Sequence, residues 1–341
     1  MPGLLLDTLR GHSGPRRPVW LMRQAGRYLP EYRALRAVKG GFLELVHDSE
    51  AAAEITLQPI RRFGFDGAIL FSDILVIPHA LGQDLAFLEG EGPHLSPALV
   101  DMALGSLQAA PERLEPIYRT VRLVREQLRP DTTLLGFAGS PWTVATYMIA
   151  GQGSRDHQAA RLMAYRDPAA LQSIVEAIVA ASVEYLTGQI EAGAEAVQLF
   201  DSWAGSLAPV EFERWVIAPN AAIVAALKAR HPNLPVIGFP KGAGEKLPAY
   251  ARETGVDAVG IDETIDPLWA NRELPAGMPF QGNLDPQLLL AGGGELDTAA
   301  RRILDAFAGR PHVFNLGHGI DKETPIAHVE RLLAVVRSWQ G

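Results

Sequence analysis

Short apolar runs rich in β-branched and aromatic residues recur at 67–71, 133–138, 196–200, 235–239, 257–261, 278–282 and 312–316. Between most of them lie stretches with apolar residues at three- and four-residue steps, clearest from Leu171 to Thr187 and from Glu211 to Arg230. Strands alternating with helices predict parallel βαβ units whose sheet is covered on both faces. Seven strands follow from the pattern, and 18–22 is a candidate eighth. Eight strands would close an α/β fold of the (β/α)8 TIM-barrel type; a doubly wound open sheet is the alternative. No linker or repeat divides the chain, so residues 1–341 are expected to form one barrel domain. No GxGxxG follows the first strand, and the Gly-rich segment 291–295 reads as a surface loop.

Polar residues follow the predicted strands in a regular way. Ser72 and Asp73 follow the first and Ser140 the second, then come Asp201 with Ser202, Lys241, Asp262, Asn283 with Asp285, and His318. In a parallel barrel the active site lies at the C-terminal ends of the strands. Strand ends also turn polar simply by meeting loops, and Ser72-Asp73 before an apolar run reads equally as a helix N-cap. Nearer the N-terminus, Arg23 and Arg27 stand four residues apart among apolar and aromatic neighbours in Pro18–Arg33. Guanidinium groups grip carboxylates with two parallel donors and stay charged when partly desolvated, so the pair reads as a clamp for a multiply anionic ligand.

Composition narrows the function. An apolar fraction of 48% supports a sizeable core. The chain has no cysteine, which excludes disulfides, a thiolate metal site and a cysteine nucleophile. The net charge of −8 argues against a nucleic-acid partner. It does not argue against an anionic small molecule, because screening over about 8 Å leaves the local charge of a cleft to decide. The start, Met1 to Asp7, lacks the basic and apolar regions of a signal peptide, and no uncharged apolar run reaches about 18 residues. A cytoplasmic protein with no membrane partner is expected.

Seven blocks in order carry a resemblance over nearly the whole chain: Pro18–Arg33, Phe71–Leu75, Gly136–Thr143, Thr146–Met148, Leu199–Ser202, Gln281–Pro286 and Asn315–Gly319. On these the sequence resembles the uroporphyrinogen decarboxylase family. The resemblance implies a cofactor-independent enzyme, without a metal, that converts the four acetates of uroporphyrinogen to methyls. Coproporphyrinogen and four carbon dioxide molecules are the products, in haem biosynthesis. It also implies a homodimer. The family's essential aspartate matches Asp73, and its paired arginines match Arg23 and Arg27. Its active-site tyrosine matches Tyr147, its substrate-lining pair Phe200 and Ser202, and its C-terminal histidine His318. The resemblance thus implies Asp73, Arg23 and Tyr147 as catalytic, with Arg27, Phe200, Ser202 and His318 completing the substrate contacts. Asn283 and Asp285 match a family block and are expected to shape the rim.

Two other functions are weighed. A corrinoid-dependent methyltransferase shares the fold but needs a zinc site containing cysteine, which this chain lacks. A tetrapyrrole carrier without catalysis differs in having no turnover.

Overall fold

The computed structural model describes residues 3–14, 16–88 and 92–340. Met1 and Pro2, on which the reading of the chain start begins, lie outside them, as does the last residue of the expected domain.

The seven expected strands all form. They are β1 (Gly67–Ile69), β4 (Thr133–Gly139), β5 (Ala196–Asp201), β6 (Val236–Pro240), β7 (Ala258–Gly260), β8 (Phe280–Leu284) and β9 (His312–Leu316). They pair in parallel in the order β1-β4-β5-β6-β7-β8-β9. Every residue of β1, β4, β6, β7, β8 and β9 is buried, as expected for strands covered on both faces. The sheet is curled, with helices over its outer face.

The candidate eighth strand differs from expectation. Segment 18–22 lies between β9 and β1 but makes one parallel bridge only, Val19 to Phe314. Trp20 N–H donates to the Phe314 carbonyl (3.3 Å), Phe314 N–H to the Pro18 carbonyl (2.9 Å), and Asp66 N–H to the Val19 carbonyl (3.0 Å). Elsewhere side chains replace the ladder. Val19 N–H donates to Asp66 Oδ2 (2.9 Å), Leu21 N–H to Gln24 Oε1 (3.0 Å) and Met22 N–H to Asn315 Oδ1 (2.9 Å). Pro18 has no N–H to offer.

Two further features depart from the sequence reading. Asp84–Leu88 (β2) and Gly92–Ser96 (β3) form an antiparallel hairpin outside the main sheet. The Gly-rich segment is not a free loop. It joins helix Pro286–Ala291 to helix Gly293–Ala306, with Gly292 at φ 70° making the turn.

The long helix Pro168–Glu191 is apolar enough, by length and composition, to cross a membrane. It packs on β4 instead: Phe137 N–H donates to Gln189 Oε1 (3.0 Å), and Gln189 Nε2 donates to the Phe137 carbonyl (3.0 Å). The helical stretch 211–230 is interrupted by a π-turn, Glu213–Ile217, ahead of helix Ala218–Arg230.

Candidate active site

Parallel pairing places the polar strand ends on one rim. Backbone bonds make that rim continuous: Ser140 N–H donates to the Phe200 carbonyl (2.8 Å), Lys241 N–H to the Asp201 carbonyl (3.0 Å), and Gly317 N–H to the Leu284 carbonyl (2.8 Å).

Asp73 stands after β1. Its Oδ1 accepts from Leu75 N–H (2.8 Å), closing a tight turn, while the cap of helix Val76–Ala80 is Leu75. The N-cap alternative for Asp73 is therefore set aside. Burial pushes its carboxyl up from the ordinary range, while the Leu75 N–H and the Arg23 charge oppose that shift. No ion-pair partner lies within 4.0 Å of it among the described residues.

Arg23 has φ 61°, unusual for a residue with a side chain. Its turn is fastened by Gln24, whose side chain accepts from Leu21 N–H and donates to the Gly67 carbonyl (2.9 Å). The Arg23 stem runs over Gly319, where a Cβ would come within 2.3 Å of Cδ. Ile320 N–H donates to the Met22 carbonyl (2.9 Å), holding the two loops together.

Tyr147 lies on helix Pro141–Ala150. Burial pushes its hydroxyl up; the Trp203 side chain and Arg23 oppose this and Asp73 adds to it. Its ring packs 6.4 Å from that of Trp203. His318, after β9, is pulled down to about 4 by burial and then by the charges of Arg23 and Lys241, with Asp262 opposing. It is a neutral imidazole near pH 7. Asp73, Arg23, Tyr147 and His318 thus form one electrostatic group.

The same helix that carries Tyr147 fastens the loop carrying Ser202. Thr143 Oγ1 donates to Asp201 Oδ1 (2.5 Å) and accepts from Trp203 N–H (3.1 Å). Trp142 Nε1 donates to the Trp203 carbonyl (3.2 Å). Asp201 is fully buried, and that burial pushes its carboxyl up to about 7 against these hydrogen bonds. Phe200, on β5, packs edge-on against Phe137 (5.6 Å) and Phe239 (6.0 Å). Ser202 lines a cavity of about 180 Å3 with His157, Trp203 and Lys241.

Arg27 has different surroundings from Arg23. It lines a cleft of about 720 Å3 with Arg33, Arg36 and Lys322, against a single acid, Glu323. Arg33 holds the turn, donating to the Arg27 (2.8 Å) and Tyr28 (3.2 Å) carbonyls. The sequence reading singled out none of Arg33, Arg36, Lys322 or His157. The three cations sit on helix Pro30–Lys39 and the loop after His318, and only folding brings them together. Asn283 and Asp285 serve the rim as expected: Asn283 Nδ2 donates to the Asp262 (2.9 Å) and Ile265 (2.7 Å) carbonyls, and Asp285 caps helix Pro286–Ala291. Among the described residues no cluster of His, Asp and Glu has metal-binding geometry.

A model of the uroporphyrinogen decarboxylase (URO-D) family matches residues 3–339. The uroporphyrinogen decarboxylase of Novosphingobium aromaticivorans is 72% identical over 339 residues, 99% of each chain. That of Erythrobacter litoralis is 72% identical over 340 residues, covering both chains in full. Among solved structures, a methyltransferase from Methanosarcina mazei superposes with a TM-score of 0.80 at 20% identity, covering 97% of this chain and 96% of that one. At that identity the likeness shows the fold alone. The chain belongs to the uroporphyrinogen decarboxylase family, and its activity is decarboxylation in tetrapyrrole biosynthesis.

Proposed function

We propose that this family member removes carbon dioxide from the four acetates of uroporphyrinogen at the group formed by Asp73, Arg23, Tyr147 and His318. The observation that carries the assignment is Asp73: a half-buried carboxyl after β1 with no ion-pair partner among the described residues, within electrostatic reach of Arg23 and Tyr147.

Loss of carbon dioxide leaves an electron pair that needs a sink. A pyrrole ring protonated at the carbon next to the acetate-bearing carbon is such a sink. The carbon–carboxylate bond then breaks into the cationic ring, and a second proton completes the methyl. The protein's task is to stabilise the ring cation and to hold the carboxylates still. Asp73 meets the first need. In a desolvated site its charge acts on a nearby cation far more strongly than it would in water. It also accepts hydrogen bonds from pyrrole N–H groups. Arg23 aligns the reacting acetate, and Tyr147 donates to it. Neutral His318 and Ser202 donate to other carboxylates, and Phe200 packs on a pyrrole edge. Arg27 holds a non-reacting carboxylate, since gripping the ionised reacting one tightly would retard its loss.

The same proposal covers the closure of the curled sheet by segment 18–22 into an eight-staved barrel, one domain over residues 1–341, and a soluble cytoplasmic homodimer. The match of the family model to 3–339 and the bridge at Val19 support the first two.

The test is anaerobic incubation of the purified protein with uroporphyrinogen in chelator-treated buffer, followed by oxidation and separation of products by carboxyl number. Stepwise loss from eight carboxyls to four is expected. Binding with all eight retained would refute catalysis and leave a carrier.

A further inference from the structure

We propose that Lys241, with His157 and Ser202, forms a second carboxylate subsite between the ends of β5, β6 and β7, which holds a carboxylate of a ring other than the one over Asp73. The inference rests on the substrate assignment above, which already gives Ser202 a carboxylate, and adds Lys241 and His157, which that assignment does not use.

Uncommitted donors around one cavity carry it. The chain has five lysines. Lys39, Lys228 and Lys246 donate side-chain hydrogen bonds, to Asp48, to Asp257 and the Leu234 carbonyl, and to the Leu207 carbonyl. Lys241 Nζ donates none among the described residues. Its nearest acid oxygen, Glu263 Oε1, is 3.6 Å away, beyond the 2.7–3.2 Å of an N–H···O bond. Yet the Lys241 side chain is only 29% exposed. Held at that distance from its one ion-pair partner among the described residues, Glu263, the Lys241 ammonium keeps hydrogen-bond donors free for a bound carboxylate.

Ser202 Oγ and the His157 ring likewise make no hydrogen bond among the described residues. His157 is 5% exposed, adopts φ 54° and stacks 4.6 Å from the Trp203 ring. Backbone held in the left-handed region by a bulky residue is costly and persists where the surroundings fix it. Here the conformation turns the ring into the wall of the 180 Å3 cavity. Burial pulls its imidazole down, so it enters as a neutral donor.

The acid lining the cavity, Asp262, does not use up these donors. Its Oδ1 accepts from Thr264 N–H (2.9 Å) and Thr264 Oγ1 (2.5 Å), and its Oδ2 from Gly242 N–H (2.7 Å). A ligand that offers acceptors and carries negative charge fits a cavity with three free donors and an engaged acid. The volume has room for a carboxylate and its stem. Asp73 follows β1 and Lys241 follows β6, three strands along the sheet, so the carboxylate held here belongs to a ring other than the one over Asp73. It is either a propionate or an acetate awaiting its turn.

The experiment compares wild type with Lys241→Met and Lys241→Arg in anaerobic turnover of uroporphyrinogen, with coproporphyrinogen inhibition measured on each. Losing a charge-assisted hydrogen bond is expected to raise KM about ten- to hundredfold in Lys241→Met, with kcat changed far less. Lys241→Arg should recover part of the loss. An equal weakening of coproporphyrinogen identifies a propionate, since the product keeps its propionates; a weakening of the substrate alone identifies an acetate. Either pattern supports the subsite. An unchanged KM in a folded Lys241→Met protein would overturn it, as would a fall in kcat at constant KM. If Lys241→Met does not fold, Lys241→Gln is read by the same criteria. Absence of turnover in wild type would instead sink the substrate assignment.

Discussion

Gly319 tests the placement of Arg23 without removing its charge. The Gly319 backbone lies outside the left-handed region, so alanine brings no torsional strain there. The nearest atoms that an added Cβ would meet all belong to Arg23: Cδ at 2.3 Å, Cγ at 2.8 Å and Nε at 2.9 Å. Carbon atoms rest about 3.5–4.0 Å apart, so the stem must move by roughly 1.2–1.7 Å. Arg23 is a flexible side chain with an accessible end, so the fold should lose about 1 kcal/mol or less, the lower end of overpacking costs. A displacement of about 1 Å at a positioned group costs on the order of 100-fold in rate, or about 2.7 kcal/mol of transition-state stabilisation. Gly319→Ala should therefore melt close to wild type and lose about 100-fold in kcat/KM under anaerobic conditions. Added to Arg23→Ala it should cost little more, because both changes act on one group. A folded Gly319→Ala protein with wild-type kcat/KM would refute the reasoning. So would a double variant whose losses simply multiply.

Asp73→Asn should fold and bind substrate while losing most of kcat; near-normal turnover in a folded variant would remove Asp73 from the chemistry. The buried Asp201 carboxyl, pushed up to about 7 from 3.8, is expected to weaken the fold as it ionises. Between those two values the folded state holds the proton and the unfolded state does not, so its contribution is favourable at pH 4 and lost as pH rises through 7. Asp201→Asn keeps an acceptor for Thr143, and its melting temperature relative to wild type should be higher at pH 8 than at pH 5; a difference independent of pH would contradict this. The cationic cleft at Arg27, Arg33, Arg36 and Lys322 should make kcat/KM fall with added salt, and Lys322→Glu should flatten that dependence. An identical salt slope in the variant would exclude the cleft from substrate approach.

The main sheet is legible in the sequence because strands covered on both faces must be apolar throughout. The hairpin β2–β3 is not, since its strands alternate or mix polar residues and carry Pro93. Segment 18–22 is as apolar as the others, but the sequence does not reveal that Asp66, Gln24 and Asn315 would capture its N–H groups. Site residues at strand ends, Asp73, Ser202 and His318, are visible because topology alone gathers them on one rim. Arg23 is visible only as half of a pair. Its environment depends on Gly319, nearly three hundred residues away, and the structure gives it different neighbours from Arg27. His157 follows no strand, and only folding brings it against the Trp203 ring and into one cavity with Ser202.

The acidic balance of the chain and its anionic substrate are reconciled by where the charges stand. Screening over about 8 Å keeps the excess of acids from deciding the charge of a cleft. In one cleft, three arginines and a lysine face one glutamate. Elsewhere, Arg23 acts on a half-buried carboxyl, Asp73, that has no ion-pair partner among the described residues. A macrocycle with carboxylates at its edge and N–H groups at its centre is sorted by such an arrangement. Under the proposed roles its edge would be drawn to the cations and its centre to Asp73. Under the same roles, the position that lowers the energy of the bound substrate would therefore also present each pyrrole to the carboxylate that stabilises its cation. Four successive acetates can use one site because turning the ring restores the same pairing of edge and centre. On that logic a cation placed at Asp73, as in Asp73→Lys, should weaken binding as well as abolish turnover. Asp73→Asn should impair turnover alone, a distinction that KM and kcat read separately.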